Sequence, residues 1–215
     1  MKAVASSQPR KLGRPPRDEA EELTQHIVAT AAALFIRGGY AGTSIEAVAQ
    51  EAQVGKNTIY RRYSTKPDLF QAVVDREMEI VLPPIETIIT GEDPTAILRH
   101  LATTLVEAAL RPETTALQRL VIAEAERFPE IAAICIARAN EHAIAFARAV
   151  LERLRKDGVR ASAELDFAAE QFVACVAYGP HIYALHGRRD LATRRQIARY
   201  VERVVALFMN GWVGR

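Results

Sequence analysis

Residues 43–70 read TSIEAVAQEAQVGKNTIYRRYSTKPDLF. Ile45, Val48 and Ala49 recur at helical spacing, so a short helix is expected to end near Ala52. Thr43 has the side chain of an N-cap, and Glu46 three residues later would complete a capping box. Gln53-Val54-Gly55 reads as a tight turn. A second short helix is expected from about Lys56 to Tyr63, with Ile59 and Tyr63 turned inward. Thr65 and Asp68 repeat the capping pattern for a third helix. Its Leu69, Phe70, Val73 and Val74 form an inner stripe, and Pro83-Pro84 ends it after about Leu82. Two short helices joined by a tight glycine-containing turn, the second one basic, form the helix-turn-helix pattern.

Upstream, Ile27, Ala31, Leu34 and Phe35 mark a helix that Gly38-Gly39 stops. Asp18 and Glu19 open it, since acids suit the positive end of the helix dipole. The preceding segment, Met1 to Arg17, holds five basic residues and no acid, and reads as a mobile arm. From Val54 to Pro67 there are four more, Lys56, Arg61, Arg62 and Lys66, again without an acid. The whole 215-residue chain carries a net charge of only +2. The positive field is therefore local, as expected for a DNA-reading module on a neutral body.

The first helix of such a motif packs over the DNA backbone, and the second presents polar side chains to the major groove. Here the second carries Lys56, Asn57, Thr58, Tyr60, Arg61 and Arg62. Asn pairs bidentately with adenine, and Lys or Arg with guanine. Tyr, Thr and Lys can also hold phosphates, which position the protein without reading sequence. In the arm, Arg14 and Arg17 flank two prolines, a form suited to a narrow minor groove.

This stretch resembles the TetR family of bacterial transcriptional regulators, matching its pattern at Thr43, Lys56, Thr58, Tyr60, Tyr63 and Lys66. The resemblance spans about residues 20–75. It departs at Gly55, where a serine is common and could cap the recognition helix, and at Arg62, where histidine or an aromatic is frequent. It implies phosphate contacts from Thr43, Tyr60 and Lys66. It also places Lys56, Asn57, Thr58 and Arg61 nearest the groove, with Asn57 and Arg61 favoured for base readout.

Beyond Ile85 the chain is rich in Ala, Leu, Val and Arg at helical period, with breaks near Gly91, Pro112, Pro129, Gly158 and Gly187. Helices are expected over 95–110, 113–127, 130–156, 162–186 and 190–210. No alternating β-type run appears, so the fold class is all-α. The expected domains are an arm (1–17), a helix-turn-helix domain (18–66) and a helical effector-binding and dimerisation domain (67–215). Leu120 to Ile131 is also similar to the C-terminal domain of AefR-like members of the family. The resemblance implies a homodimer on a palindromic operator, its recognition helices about 34–36 Å apart. Phe172, Val176, Ile182, Ile197, Val201, Val204, Val205 and Phe208 are the candidate interface, although their spacing fits core stripes equally well. A mostly apolar effector pocket is expected among the middle helices, with Leu105, Phe128, His142, Phe146, Phe172, Cys175, Tyr178 and His181 as candidates.

The two cysteines, Cys135 and Cys175, form no CxxC pair, and no histidine cluster has zinc spacing, so neither metal nor other cofactor is expected. No apolar run is long enough to span a bilayer, and the N-terminus lacks the core of a secretory signal, so a cytoplasmic location is expected. The hydrolase, zincin and phosphate-loop signatures of common enzymes are missing from the sequence. The reading is a sequence-specific, ligand-responsive repressor. An activator of the same fold and a sequence-indifferent architectural DNA binder are the alternatives.

Overall fold

The computed structural model describes residues 17–91, 93–159, 164–188, 191 and 193–212. Among these residues every regular element is a helix, so the fold is all-α. The N-terminal elements are α1 (Arg17–Gly42), α2 (Ile45–Glu51), α3 (Lys56–Tyr60) and α4 (Lys66–Val81). They are followed by α5 (Ile85–Ile88), α6 (Pro94–Leu110), α7 (Pro112–Glu124) and α8 (Pro129–Cys135). The last are α9 (Glu141–Lys156), α10 (Leu165–Val173), α11 (Gly179–Leu185) and α12 (Arg194–Trp212).

Glycine and proline punctuate these helices as the sequence suggests. Pro94, Pro112 and Pro129 each stand in a first turn, where the missing N–H costs nothing. Gly158 and Gly187 follow helix ends with positive φ. Gly39 interrupts α1 at φ 76°, ψ 165°, a region that only glycine enters easily. Thr65 and Asp68 form the expected capping box on α4.

One feature differs from expectation. The N-cap of α2 is Ser44, whose hydroxyl accepts the Ala47 N–H at 3.1 Å. Thr43 is buried instead, its hydroxyl directed at the Leu34 and Gly39 carbonyls (3.1 and 2.9 Å). In the α2–α3 turn, Gln53 takes the left-handed conformation, at φ 55°.

The long helical segments expected over 130–156 and 162–186 each contain a π turn. One, Ile136–Asn140, joins α8 to α9, and the other, Ala174–Tyr178, joins α10 to α11. Each adds a residue to one helical turn and shifts the stripe that follows it.

Two apolar cores form. One gathers Phe35, Tyr40, Ile59, Phe70 and Val74 from the first four helices with Leu117, Leu120 and Val121 of α7 and Ile131 of α8. Within it, Tyr40 lies edge-on to Phe70 (5.4 Å) and to Phe128 (5.1 Å). The other joins Leu98, Leu101 and Leu105 of α6 to Leu151 of α9, Phe172 of α10, Val176, and Val201 and Val205 of α12. Burial of such side chains supplies about 1.5–3 kcal/mol each.

Candidate nucleic-acid interface and effector cavity

Short α3 has two opposite faces. Ile59 is fully buried against the first core, while Lys56, Asn57, Tyr60 and Arg61 are exposed. Gly55 stands at its N-cap with no side-chain cap bond, as its departure from serine implied. The Lys56 ammonium pairs with Glu46 of α2 and lies 5.3 Å from the centre of the Tyr60 ring. The hydrogen bond with Lys56 holds the Glu46 carboxyl below its ordinary value, and the same bond raises Lys56. Glu46 therefore serves as a tether across the turn, rather than as half of a capping box.

Three residues expected on DNA are held by the protein itself. Arg62 donates to the Thr24 hydroxyl of α1 (3.0 Å) and to the Thr58 carbonyl (3.1 Å). Lys66 donates to the Tyr40 carbonyl, with its ammonium 4.1 Å from the Tyr40 ring centre. Burial pulls Lys66 below its ordinary value, against the opposing pull of Glu124 and Glu130. The Thr43 hydroxyl spends its single proton inside the protein, so it has none to give a phosphate. Thr58 is half-buried. Arg17 is the first residue of α1, and Arg14 lies outside the described residues.

The ties between the motif and the body were not foreseen from sequence. Glu124, ending α7, accepts the Tyr40 and Ala41 N–H groups at 2.5 and 2.8 Å. Arg138, in the first π turn, makes a two-pronged contact with Asp75 of α4 (2.8 and 3.0 Å). Nothing near Glu124 in sequence signals this, because the partners are backbone groups about eighty residues away.

A cavity of about 390 Å³ opens between α4, α6, α7 and the two π turns. Leu105 and Val173 lie at its buried side, and Tyr178 and Ile182 are 41% and 49% exposed at its other side. Of the eight residues expected there, Leu105, Tyr178 and His181 line it. Phe128 instead packs on Tyr40 in the first core. His142 is exposed and bonded to the Arg138 carbonyl, because the π turn rotates it outward. Phe172 is closed in the second core against Phe208, at 4.8 Å, and Phe146 packs on that core's edge. Cys175 is exposed, and its carbonyl accepts the Tyr200 hydroxyl. The lining residues that sequence reasoning missed include Thr114, Gln118 and Asn140, polar groups with no motif to mark them.

The candidate interface residues also divide. Phe172, Val176, Val201 and Val205 are fully buried within the protomer. Ile197, Val204 and Phe208 pack partly on the same core, and only Ile182 is exposed. The large apolar groups left open on these elements are Phe167, Tyr178, Ile182, Tyr183 and Leu207.

Among the described residues no helix is long and apolar enough to cross a membrane, and no cluster of His, Cys, Asp and Glu could hold a metal ion.

Comparison with known proteins fits this arrangement. Residues 27–73 match the bacterial regulatory proteins of the tetR family. Residues 96–212 match the C-terminal domain of the AefR-like transcriptional repressors. A curated relative, the HTH-type transcriptional regulator AcrR of Shigella flexneri, is 27% identical over 133 residues. That alignment spans 60% of this chain and 61% of AcrR. A solved TetR-family regulator from Mesorhizobium loti MAFF303099 superposes with a TM-score of 0.75 at 25% identity, covering 91% of this chain and 98% of its own. The flavonoid-responsive regulator FrrA shares the fold, with a TM-score of 0.72, 23% identity, and coverage of 91% and 99%.

Proposed function

The chain belongs to the TetR family of transcriptional regulators, with a helix-turn-helix DNA-binding domain, and from that premise we propose that it is a ligand-responsive repressor. It acts as a homodimer on a palindromic operator. The observation that carries the DNA-reading part is the exposed face of α3, where Asn57, Tyr60 and Arg61 stand opposite a fully buried Ile59. Asn57 and Arg61 read bases, Tyr60 and Lys56 hold phosphate, and Arg14 and Arg17 of the arm follow the minor groove.

The second copy docks on α10–α12. Phe167, Tyr178, Ile182 and Leu207 leave apolar surface there, as an isologous contact requires. The domain boundary falls near residue 66, with α4 leaving the reading head for the body. Control is a population shift, in which an effector in the 390 Å³ cavity favours a state with wrongly spaced reading heads. The Glu124 and Arg138 contacts give such a shift a path. Their elements, α7 and the first π turn, both wall the cavity and both grip the head or its exit helix. Repression is favoured over activation by the match to AefR-like repressors.

The test is capture of genomic fragments by the purified protein at physiological salt, followed by sequencing. Enrichment of a few palindromic sites is expected. Uniform, salt-sensitive recovery of all fragments would overturn sequence-specific reading.

A further inference from the structure

The chemistry of the cavity lining narrows what it can hold. No described residue that lines it carries a formal charge. A buried ion without a counter-charge costs several kcal/mol, so an ionised ligand is strongly disfavoured. The polar groups present are Thr114, Gln118, Asn140, Tyr178 and His181, with no carboxylate, ammonium or guanidinium among them. Burial, with help from the Glu170 carboxylate, raises the Tyr178 phenol above its ordinary value, so it stays a hydroxyl.

One of these groups has no partner within the protein, and a second turns a fixed face to the cavity. The Thr114 hydroxyl oxygen is buried with no hydrogen-bond partner. His181 Nδ1 lies 2.8 Å from the Ala109 carbonyl, which can only accept, so Nδ1 holds the proton. In the uncharged form of the ring, Nε2 is then an acceptor. A carbonyl-only ligand has no proton for that nitrogen, whereas a hydroxyl can donate to Nε2 and also accept from a neighbour.

We infer that the cavity takes an uncharged, largely apolar molecule bearing a hydroxyl, a phenol or an alcohol, and disfavours carboxylates. This rests on the reading of the cavity as the effector site. Its size, about 390 Å³, lies within the range of small-molecule pockets, roughly 300–1,000 Å³. A separate groove of about 640 Å³ carries Arg111, Arg119 and Arg188. Anions that bind the protein have that alternative surface, so the measurement must report on the cavity alone.

The experiment uses the full chain and displacement of a neutral fluorophore, N-phenyl-1-naphthylamine. The competitors share one skeleton: biphenyl, 4-hydroxybiphenyl and biphenyl-4-carboxylate. The phenol is expected to displace the fluorophore at concentrations at least tenfold lower than the carboxylate, and several-fold lower than biphenyl. Thr114→Val, which keeps the side-chain shape, and His181→Phe should each reduce the advantage of phenol over biphenyl and leave biphenyl itself little changed. A carboxylate that displaces as well as the phenol would overturn the ligand class and leave the site standing. A fluorophore that fails to bind, or binds Ala143→Phe protein as tightly as the native chain, would overturn the site itself.

Discussion

The carboxylate of Glu124 accepts the backbone N–H of Tyr40 at 2.5 Å, so the last residue of α7 fastens the bend between α1 and α2. Its second oxygen takes the Ala41 N–H. Charge-assisted bonds of this kind contribute about 1.5–3 kcal/mol. Glu124→Ala should therefore lower the urea midpoint by an amount equivalent to about 1–3 kcal/mol, whereas Glu126→Ala, at an exposed position, should change it by no more than about 0.5 kcal/mol. Equal effects from the two substitutions would rule out the clamp.

Gly39 makes that clamp possible. A Cβ there would sit 2.7 Å from the Glu124 Oε1, on a backbone at φ 76°. Gly39→Ala should cost about 1–3 kcal/mol by thermal unfolding. The cost should fall when Glu124 is also Ala, since the collision is then gone and only the backbone term remains. Strict additivity of the two substitutions would contradict a shared contact.

The outward face of α3 and the inward ties behind it predict separable losses. Asn57→Ala and Arg61→Ala should each relax preference at one operator base pair by about 1–3 kcal/mol, read by competition with single-base operator variants. They should leave the melting temperature nearly unchanged. Arg62→Ala breaks the contact with Thr24, so its first effect should be on stability and it should spare base preference.

The two thiols should differ in access. Cys135 is 6% exposed, and burial pushes its thiol up to about 12. It should stay unlabelled by an aromatic disulfide reagent until the protein unfolds. Cys175, exposed in the protomer, should react in the native state. If the proposed dimer covers it, its labelling rate should rise on dilution and in Phe167→Glu protein. A rate independent of both would place the dimer elsewhere.

Alkaline pH should weaken the fold. Burial first, then the Glu130 and Glu124 charges, raise the Tyr40 phenol from 10.0 to about 12. Cys135 rises from 9.0 to about 12. Both groups hold their protons longer folded than unfolded, so their contribution is complete below pH 9 and lost between about 9 and 12. Lys66 works in the opposite sense below 10.5, but it is partly solvated and its effect is smaller. The urea midpoint should fall across this window, and Cys135→Ala should reduce the slope. A flat profile would show that neither group is shielded as the structure places it.

The helix-turn-helix could be read before folding because its signals are local. Ile45, Val48 and Ile59 repeat at short range, and Thr65 and Asp68 cap a helix three residues apart. Where the reading of the motif went astray, a distant group decided. Nothing near Thr43 in sequence says that the carbonyls of Leu34 and Gly39 will take its hydroxyl and leave Ser44 to cap α2. In the body, apolar periodicity gave the helices but could not rank faces. Phe172 and Val201 went inward, while Phe167 and Leu207 stayed out. The π turns compound this, since one extra residue in a turn moves every later side chain around the helix. That is why His142 left the cavity and Asn140 entered it.

The same two turns have a consequence for how the chain can change length. A helix locked into a core on both sides cannot gain or lose a residue without rotating one half by about a quarter turn. Each π turn already holds the surplus residue, with Ile131 and Cys135 packed before the first and Ala147 and Val150 packed after it. Relatives that differ by single-residue deletions should lose them there, converting a π turn to ordinary helix. The cavity wall would be redrawn and the two cores left in register. Binding preference could then diversify by insertion and deletion within a helix.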